Sequence, residues 1–125
     1  MCGITGVFHL DGERVKVSVL AEMAKAISHR GPDDEGFYCD ENIGLAHQRL
    51  SILDTSRKGA QPMVSKDQRW VVVFNGCIYN YKELREELKN MGHYFTSQSD
   101  TEVISEGLSA YGPEFFERFN GMFAI

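Results

Sequence analysis

The spacing of apolar residues changes period several times along this chain, and each change predicts an element. Gly3 to His9 is a short apolar run carrying Ile4, Val7 and Phe8; it predicts a buried strand, which Asp11-Gly12 ends in a turn. From Val19 to Ser28 the period lengthens. Leu20, Met23, Ala24 and Ile27 fall at i, i+3, i+4 and i+7, one face of a helix, with Ser18 placed to cap its N-terminus. His29-Arg30-Gly31-Pro32-Asp33-Asp34-Glu35-Gly36 is polar and broken by glycine and proline, so it predicts a loop. Phe37 to Cys39 and then Ile43 to Asp54 return to an extended pattern. In the second of these Ile43, Leu45, His47 and Arg49 alternate with Gly44, Ala46, Gln48 and Leu50, which puts His47 and Arg49 on one face of a strand.

Thr55 to Gln68, with Ser56, Gly59, Pro62 and Ser65, reads as loop. Trp70 to Phe74 is a continuous apolar, β-branched run and predicts a strand buried on both faces, ended by Asn75-Gly76 as a turn. Asn80 followed three residues on by Glu83 has the form of a capping box. The helix it opens continues through Tyr81, Leu84, Leu88 and Met91 and stops at Gly92. Ser99 and Glu102 repeat the device for a second helix through Val103, Ile104, Leu108 and Tyr111. Gly112-Pro113 closes that helix and starts a short third one, before a last apolar strand from Gly121 to Ile125.

The chain has 125 residues, enough for one domain with a core that needs neither disulfide nor metal. A formal net charge of -5, with the acids dispersed, lacks the basic face expected of a nucleic-acid binder. Three cysteines, Cys2, Cys39 and Cys77, without framework spacing fit a reducing compartment better than a secreted scaffold. The opening residues have no basic region and no long apolar run, and no stretch approaches the ~20 apolar residues that span a bilayer. These features predict a soluble, cytoplasmic protein with neither nucleic acid nor membrane as partner.

The chemistry begins at Met1-Cys2-Gly3. Removal of Met1, which a small second residue permits, leaves a cysteine carrying both a thiol (reference pKa about 8.5) and an α-amine (about 7.7–8.0), a nucleophile with its own base. Three further features join it. Arg49 in an otherwise apolar strand can hold a carboxylate with its two-pronged guanidinium. Asn75 beside the Gly76 N–H can form an oxyanion hole, and Asp100 at a helix start can take an ammonium. Singly, each has a plain structural reading: a strand-edge arginine, a turn and a helix cap.

The strings around these residues resemble the N-terminal glutaminase domain of the asparagine synthetase family, among the class II glutamine amidotransferases of the N-terminal-nucleophile hydrolases. The resemblance runs through Met1-Cys2-Gly3-Ile4, His29-Arg30-Gly31-Pro32-Asp33, the block Gly44 to Asp54, Gln61-Pro62-Met63, Phe74-Asn75-Gly76-Cys77-Ile78-Tyr79-Asn80-Tyr81, Ser99-Asp100-Thr101-Glu102 and Asn120-Gly121-Met122-Phe123-Ala124. It implies an α+β fold of the four-layer αββα kind and hydrolysis of glutamine through a Cys2 thioester. Asn75 and Gly76 would hold the oxyanion. Arg49, with the backbone of Leu50, Ser51, Ile52 and Leu53, would bind the substrate carboxylate, and Asp100 the ammonium. Arg30, Asp33 and Asp34 fall to loop structure beside the site.

The resemblance also implies a C-terminal synthetase domain as partner, where ATP and Mg²⁺ activate aspartate or another acid to receive the ammonia; no cofactor or metal is expected in residues 1–125. A homodimer is left open. Position 77 departs from the pattern: it is Cys where a glutamate that helps bind the ammonium is expected, which leaves Asp100 as the main acid there. The chain also stops inside a strand, which predicts a truncated glutaminase domain. Two readings compete. One is a non-catalytic amidotransferase-like module with a packing or regulatory role. The other is a metal module built on Cys2, His9, His29, Cys39, His47, Cys77 and His93, although no C-x₂-C or H-x₃-H pair occurs.

Overall fold

A computed structural model describes residues 2–52 and 56–125. Its first half runs β1 (Gly3–Phe8), α1 (Val17–Ala26), a 3-10 turn (Ser28–Arg30), β2 (Asp34–Asp40) and β3 (Ile43–Arg49). The three strands form one antiparallel sheet in the order β1-β3-β2, with Gly3 opposite Gln48 and Asp34 opposite Arg49. This register delivers Cys2, one residue ahead of β1, to the end of β3. Leu20 and Ala24 of α1 pack against Ala46 of β3 as a small core.

The second half contains two short antiparallel pairs. β4 (Met63–Val64) pairs with β5 (Val71–Val72), and β6 (Asn75–Ile78) pairs with β7 (Gly121–Ala124). Between β6 and β7 in the chain lie α2 (Tyr81–Asn90), α3 (Asp100–Tyr111) and a 3-10 helix (Gly112–Arg118) with Pro113 in its first turn. Val72, Phe74, Ile78, Leu84, Leu88, Val103, Ile104, Leu108 and Phe115 make the larger core. Each such fully buried side chain contributes about 1.5–3 kcal/mol over its exposed state. Gly107 admits one of them: a Cβ there would lie 1.9 Å from the Phe115 ring. Helices and antiparallel strands in these proportions define an α+β fold.

Local signals placed the helices well. Ser99 caps α3 by accepting the Glu102 N–H at 3.2 Å. Gly92, at φ 96°, follows α2 with the paired bonds His93 N to Leu88 O and Gly92 N to Lys89 O of a left-handed stop. Neither capping box is complete. The Glu102 carboxylate turns instead to the Thr96 and Ser97 N–H groups. Burial pushes its carboxyl up, but the hydrogen bonds from Ser97 and Thr96 outweigh that and hold it below the usual range. Asn80 makes no cap bond; its amide donates to the Arg118 carbonyl and accepts from the Asn120 N–H, tying α2 to β7.

Other expectations need correction. α1 starts at Val17, so Ser18 lies inside the helix and caps nothing. Asp34-Glu35-Gly36 belong to β2, because pairing with β3 overrides their loop-like composition. β1 is an edge strand, not a buried one, and Phe8 is 61% exposed. The expected strand to Asp54 ends at Arg49; Leu53, Asp54 and Thr55 lie outside the described residues. In the Trp70–Phe74 run only Val71 and Val72 join a ladder, since the Phe74 N–H donates to Gln61 Oε1 at 2.6 Å instead. Asn75-Gly76 is no turn: it opens β6, opposite Ala124 and Phe123.

Candidate active site

Cys2 is placed by β1 and held by the backbone just beyond β3. Its Sγ accepts the Leu50 N–H at 3.3 Å and lies 3.5 Å from the Leu50 carbonyl, to which the thiol donates. The Cys2 carbonyl accepts from Arg30 Nε at 3.0 Å. Asp33 braces the same region: its N–H donates to the Arg49 carbonyl at 3.0 Å, and its carboxylate accepts the Ser51 N–H at 2.8 Å. Arg30, at the end of the 3-10 turn, and Asp33, just ahead of β2, thus brace the chain beside Cys2. Cys2 and Cys77 are half-buried, whereas Cys39 is exposed.

One cavity opens where three segments meet: the end of β3 with Leu50 to Ile52, the start of β6, and the start of α3. Cys2, Arg49, Leu50, Ser51, Ile52, Asn75, Gly76 and Asp100 all line it. Arg49 is buried and donates from Nη2 to the Ser56 carbonyl at 2.9 Å. Asn75 Oδ1 is buried without a hydrogen-bond partner among the described residues. Gly76 lies so close to β7 that a Cβ would stand 2.3 Å from the Met122 carbonyl oxygen, so only glycine fits there.

Asp100, the first residue of α3, is buried and accepts the Ile78 N–H at Oδ2, 3.3 Å away. Burial pushes its carboxyl above the usual range, while hydrogen bonds from the Ile78, Asp100 and Thr101 backbone and the charge of Arg85 oppose that rise. His47 is 1% exposed, and neither ring nitrogen has a hydrogen-bond partner among the described residues. Burial lowers its pKa to about 4, so the imidazole is neutral near pH 7.

The structure therefore brings together every sequence-predicted site residue within its reach except one. Cys77 does not line the cavity; it sits two residues along β6 from Asn75, about 7 Å further on in an extended strand. Leu53 lies outside the described residues. His47, Gln61, Phe74 and Thr101 line the cavity but were not assigned to it. Gln61 links two walls, accepting the Phe74 N–H at 2.6 Å and donating to Thr101 Oγ1 at 3.1 Å. The shared face of His47 and Arg49 was the available signal for His47; nothing local marks Gln61. Among the described residues no group of three or more His, Cys, Asp or Glu is placed to hold a metal.

Residues 1–125 match the model of the glutamine amidotransferase domain, and the chain belongs to that family. It is 42% identical over 128 residues to asparagine synthetase [glutamine-hydrolyzing] 1 of Bacillus subtilis (strain 168), an alignment covering 100% of this chain and 20% of that protein. Asparagine synthetase [glutamine-hydrolyzing] 2 of Arabidopsis thaliana is 43% identical over 126 residues, with 100% and 21% covered. Asparagine synthetase B [glutamine-hydrolyzing] of Escherichia coli (strain K12) is 42% identical over 126 residues, with 100% and 22% covered. The chain thus spans about a fifth of the length of these curated relatives.

Proposed function

We propose that this chain hydrolyses glutamine to glutamate and ammonia at Cys2. The observation that carries the reading is the convergence of a half-buried thiol, a buried guanidinium, an Asn-Gly pair and a buried carboxylate on one cavity. Arg49 and the backbone from Leu50 to Leu53 bind the substrate α-carboxylate, and Asp100 binds its ammonium. Cys77 replaces a second acid on that side, which leaves Asp100 to carry the ammonium contact.

After loss of Met1, the Cys2 sulfur attacks the side-chain amide carbon, and the thiol proton passes to the Cys2 α-amine. The oxyanion is stabilised by the Asn75 amide and the Gly76 N–H. The amine returns the proton to the leaving nitrogen, the C–N bond breaks, and ammonia departs from a thioester. Water then adds to the thioester carbon and gives its proton to the amine. The C–S bond breaks, glutamate leaves, and the sulfur recovers its proton. Neutral His47 places no second positive charge beside Arg49.

The fold reading that accompanies this is the four-layer αββα sandwich. It is supported by α1 on the β1-β3-β2 sheet and by α2 and α3 in the core that includes β5 and β6 residues. The ammonia would serve a C-terminal synthetase domain making asparagine or a related amide in the cytoplasm. ATP and Mg²⁺ would act in that domain and not on the residues described above. Glutamate release from glutamine by the full chain, compared with Cys2→Ala, tests the proposal. Release abolished by Cys2→Ala supports it; equal release, or none from the unaltered chain, makes this a non-catalytic module.

A further inference from the structure

Arg85 lies on the buried side of α2, between Leu84 and Leu88, and is 7% exposed. Its Nη1 donates to the Ser97 carbonyl at 2.8 Å and its Nη2 to the Ser99 carbonyl at 3.0 Å. The guanidinium stands 4.7 Å from the Phe95 ring centroid. Among the described residues its buried Nε has no hydrogen-bond partner and no carboxylate forms an ion pair with the guanidinium.

Burying a cation without an acid partner is costly. The position is unfavourable in a second way, because Ser99 is the N-cap of α3, and the N-terminus of a helix repels positive charge. Two carbonyls could be held by neutral donors. A charge there has a use only if it acts on something nearby, and the next residue is Asp100.

We infer that Arg85 is a positioning residue for recognition of the substrate ammonium: its fork fixes the Ser97–Ser99 turn so that Asp100 presents a carboxylate to the cavity. This rests on the reading of Asp100 as the ammonium acceptor. The charged and titratable groups around the site are Arg85 from α2, Glu102 from α3, which accepts from the Ser97 N–H and hydroxyl of the same turn, His47 and Arg49 from β3, and Cys2 ahead of β1. His47 is neutral, and Arg85 is the charged side chain that opposes the upward pull of burial on the Asp100 carboxyl. Without Arg85, Asp100 takes up a proton at higher pH and the ammonium contact fails nearer neutrality.

The test uses the full chain and two alkylating probes for Cys2. The diazo-ketone analogue of glutamine carries the α-ammonium: the sulfur displaces dinitrogen, and the thiol proton ends on the former diazo carbon. Iodoacetamide alkylates the same sulfur, with loss of iodide and the thiol proton, and needs no ammonium contact. Arg85→Gln should slow the analogue about ten-fold or more, as loss of a charged contact predicts, and leave iodoacetamide unchanged. The acid limb of the analogue's pH profile should also move up. Arg85→Lys keeps the charge without the fork, so it should restore the acid limb and part of the rate. Equal slowing of both probes, an unaltered analogue rate, or a lysine variant no better than glutamine would overturn the inference. Failure of the analogue to label Cys2 in the unaltered chain would instead sink the glutamine reading itself, and this inference with it.

Discussion

Leu50 engages the Cys2 sulfur with both of its backbone polar groups, the N–H at 3.3 Å and the carbonyl at 3.5 Å. The candidate nucleophile is therefore anchored to the segment that the proposal assigns to carboxylate binding. Because Asp33 and Arg30 fix that segment and the Cys2 backbone in turn, the sulfur and the substrate-binding wall are held as one unit.

The proposed chemistry needs a free α-amine on Cys2. Intact-mass measurement of protein from a cytosolic host should show Met1 removed and no acetyl group. A retained methionine in protein that still turns over glutamine would rule out the amine as base.

Arg49→Lys keeps the charge and loses the two-point grip on a carboxylate. Glutamine binding by the full chain should weaken by about 1.5–3 kcal/mol, seen as a raised KM. The bond from Arg49 to the Ser56 carbonyl gives the contrary outcome a clear meaning: an unchanged KM would assign Arg49 to holding that segment alone.

Gln61→Leu removes the acceptor for the Phe74 N–H and the donor to Thr101 Oγ1, both in buried surroundings. Leaving those groups unpaired should cost about 1–3 kcal/mol of stability. Denaturant unfolding of the full chain would measure it. Glutaminase activity should fall too, since Phe74 precedes Asn75. A variant as stable as the unaltered chain would mean that neither bond matters.

His47 gives a pH-dependence with a definite sign. Its folded pKa of about 4 lies below the ordinary histidine value of 6.5, so between those values the unfolded chain binds more protons. Its contribution to stability is complete above pH 6.5 and is lost as pH falls toward 4, roughly 3 kcal/mol at most. Asp100, whose carboxyl is raised, works in the opposite direction at acid pH. The comparison that isolates His47 is therefore the unaltered chain against His47→Gln, which should flatten the dependence in that window. Parallel stability curves for the two would contradict a buried, neutral imidazole.

Some of this molecule was legible from residue order. α2 and α3 start and stop close to where Asn80, Gly92, Ser99 and Gly112 place them, because helix ends depend on groups within one turn of chain. The alternation from Ile43 to Arg49 gave β3 and the shared face of His47 and Arg49 for a similar reason: side-chain direction in a strand repeats every second residue. The ordered blocks carried the family resemblance and with it the set Cys2, Arg49, Asn75, Gly76 and Asp100.

Tertiary structure decided the rest. Asn75-Gly76 has the composition of a turn and becomes β6 because β7, from the far end of the chain, supplies its partners. Asp34 to Gly36 has loop composition and becomes strand because β3 lies beside it. Arg85 and Gln61 look like ordinary polar residues, and only folding reveals them buried against Ser99 and Thr101. By itself, the order of residues determined the helices, the β3 face and the chemical types available to the site. Which of them share a cavity was settled only by packing, since the hydrogen bonds and close contacts that join Cys2 to Leu50 or Gln61 to Phe74 link positions that no local pattern relates.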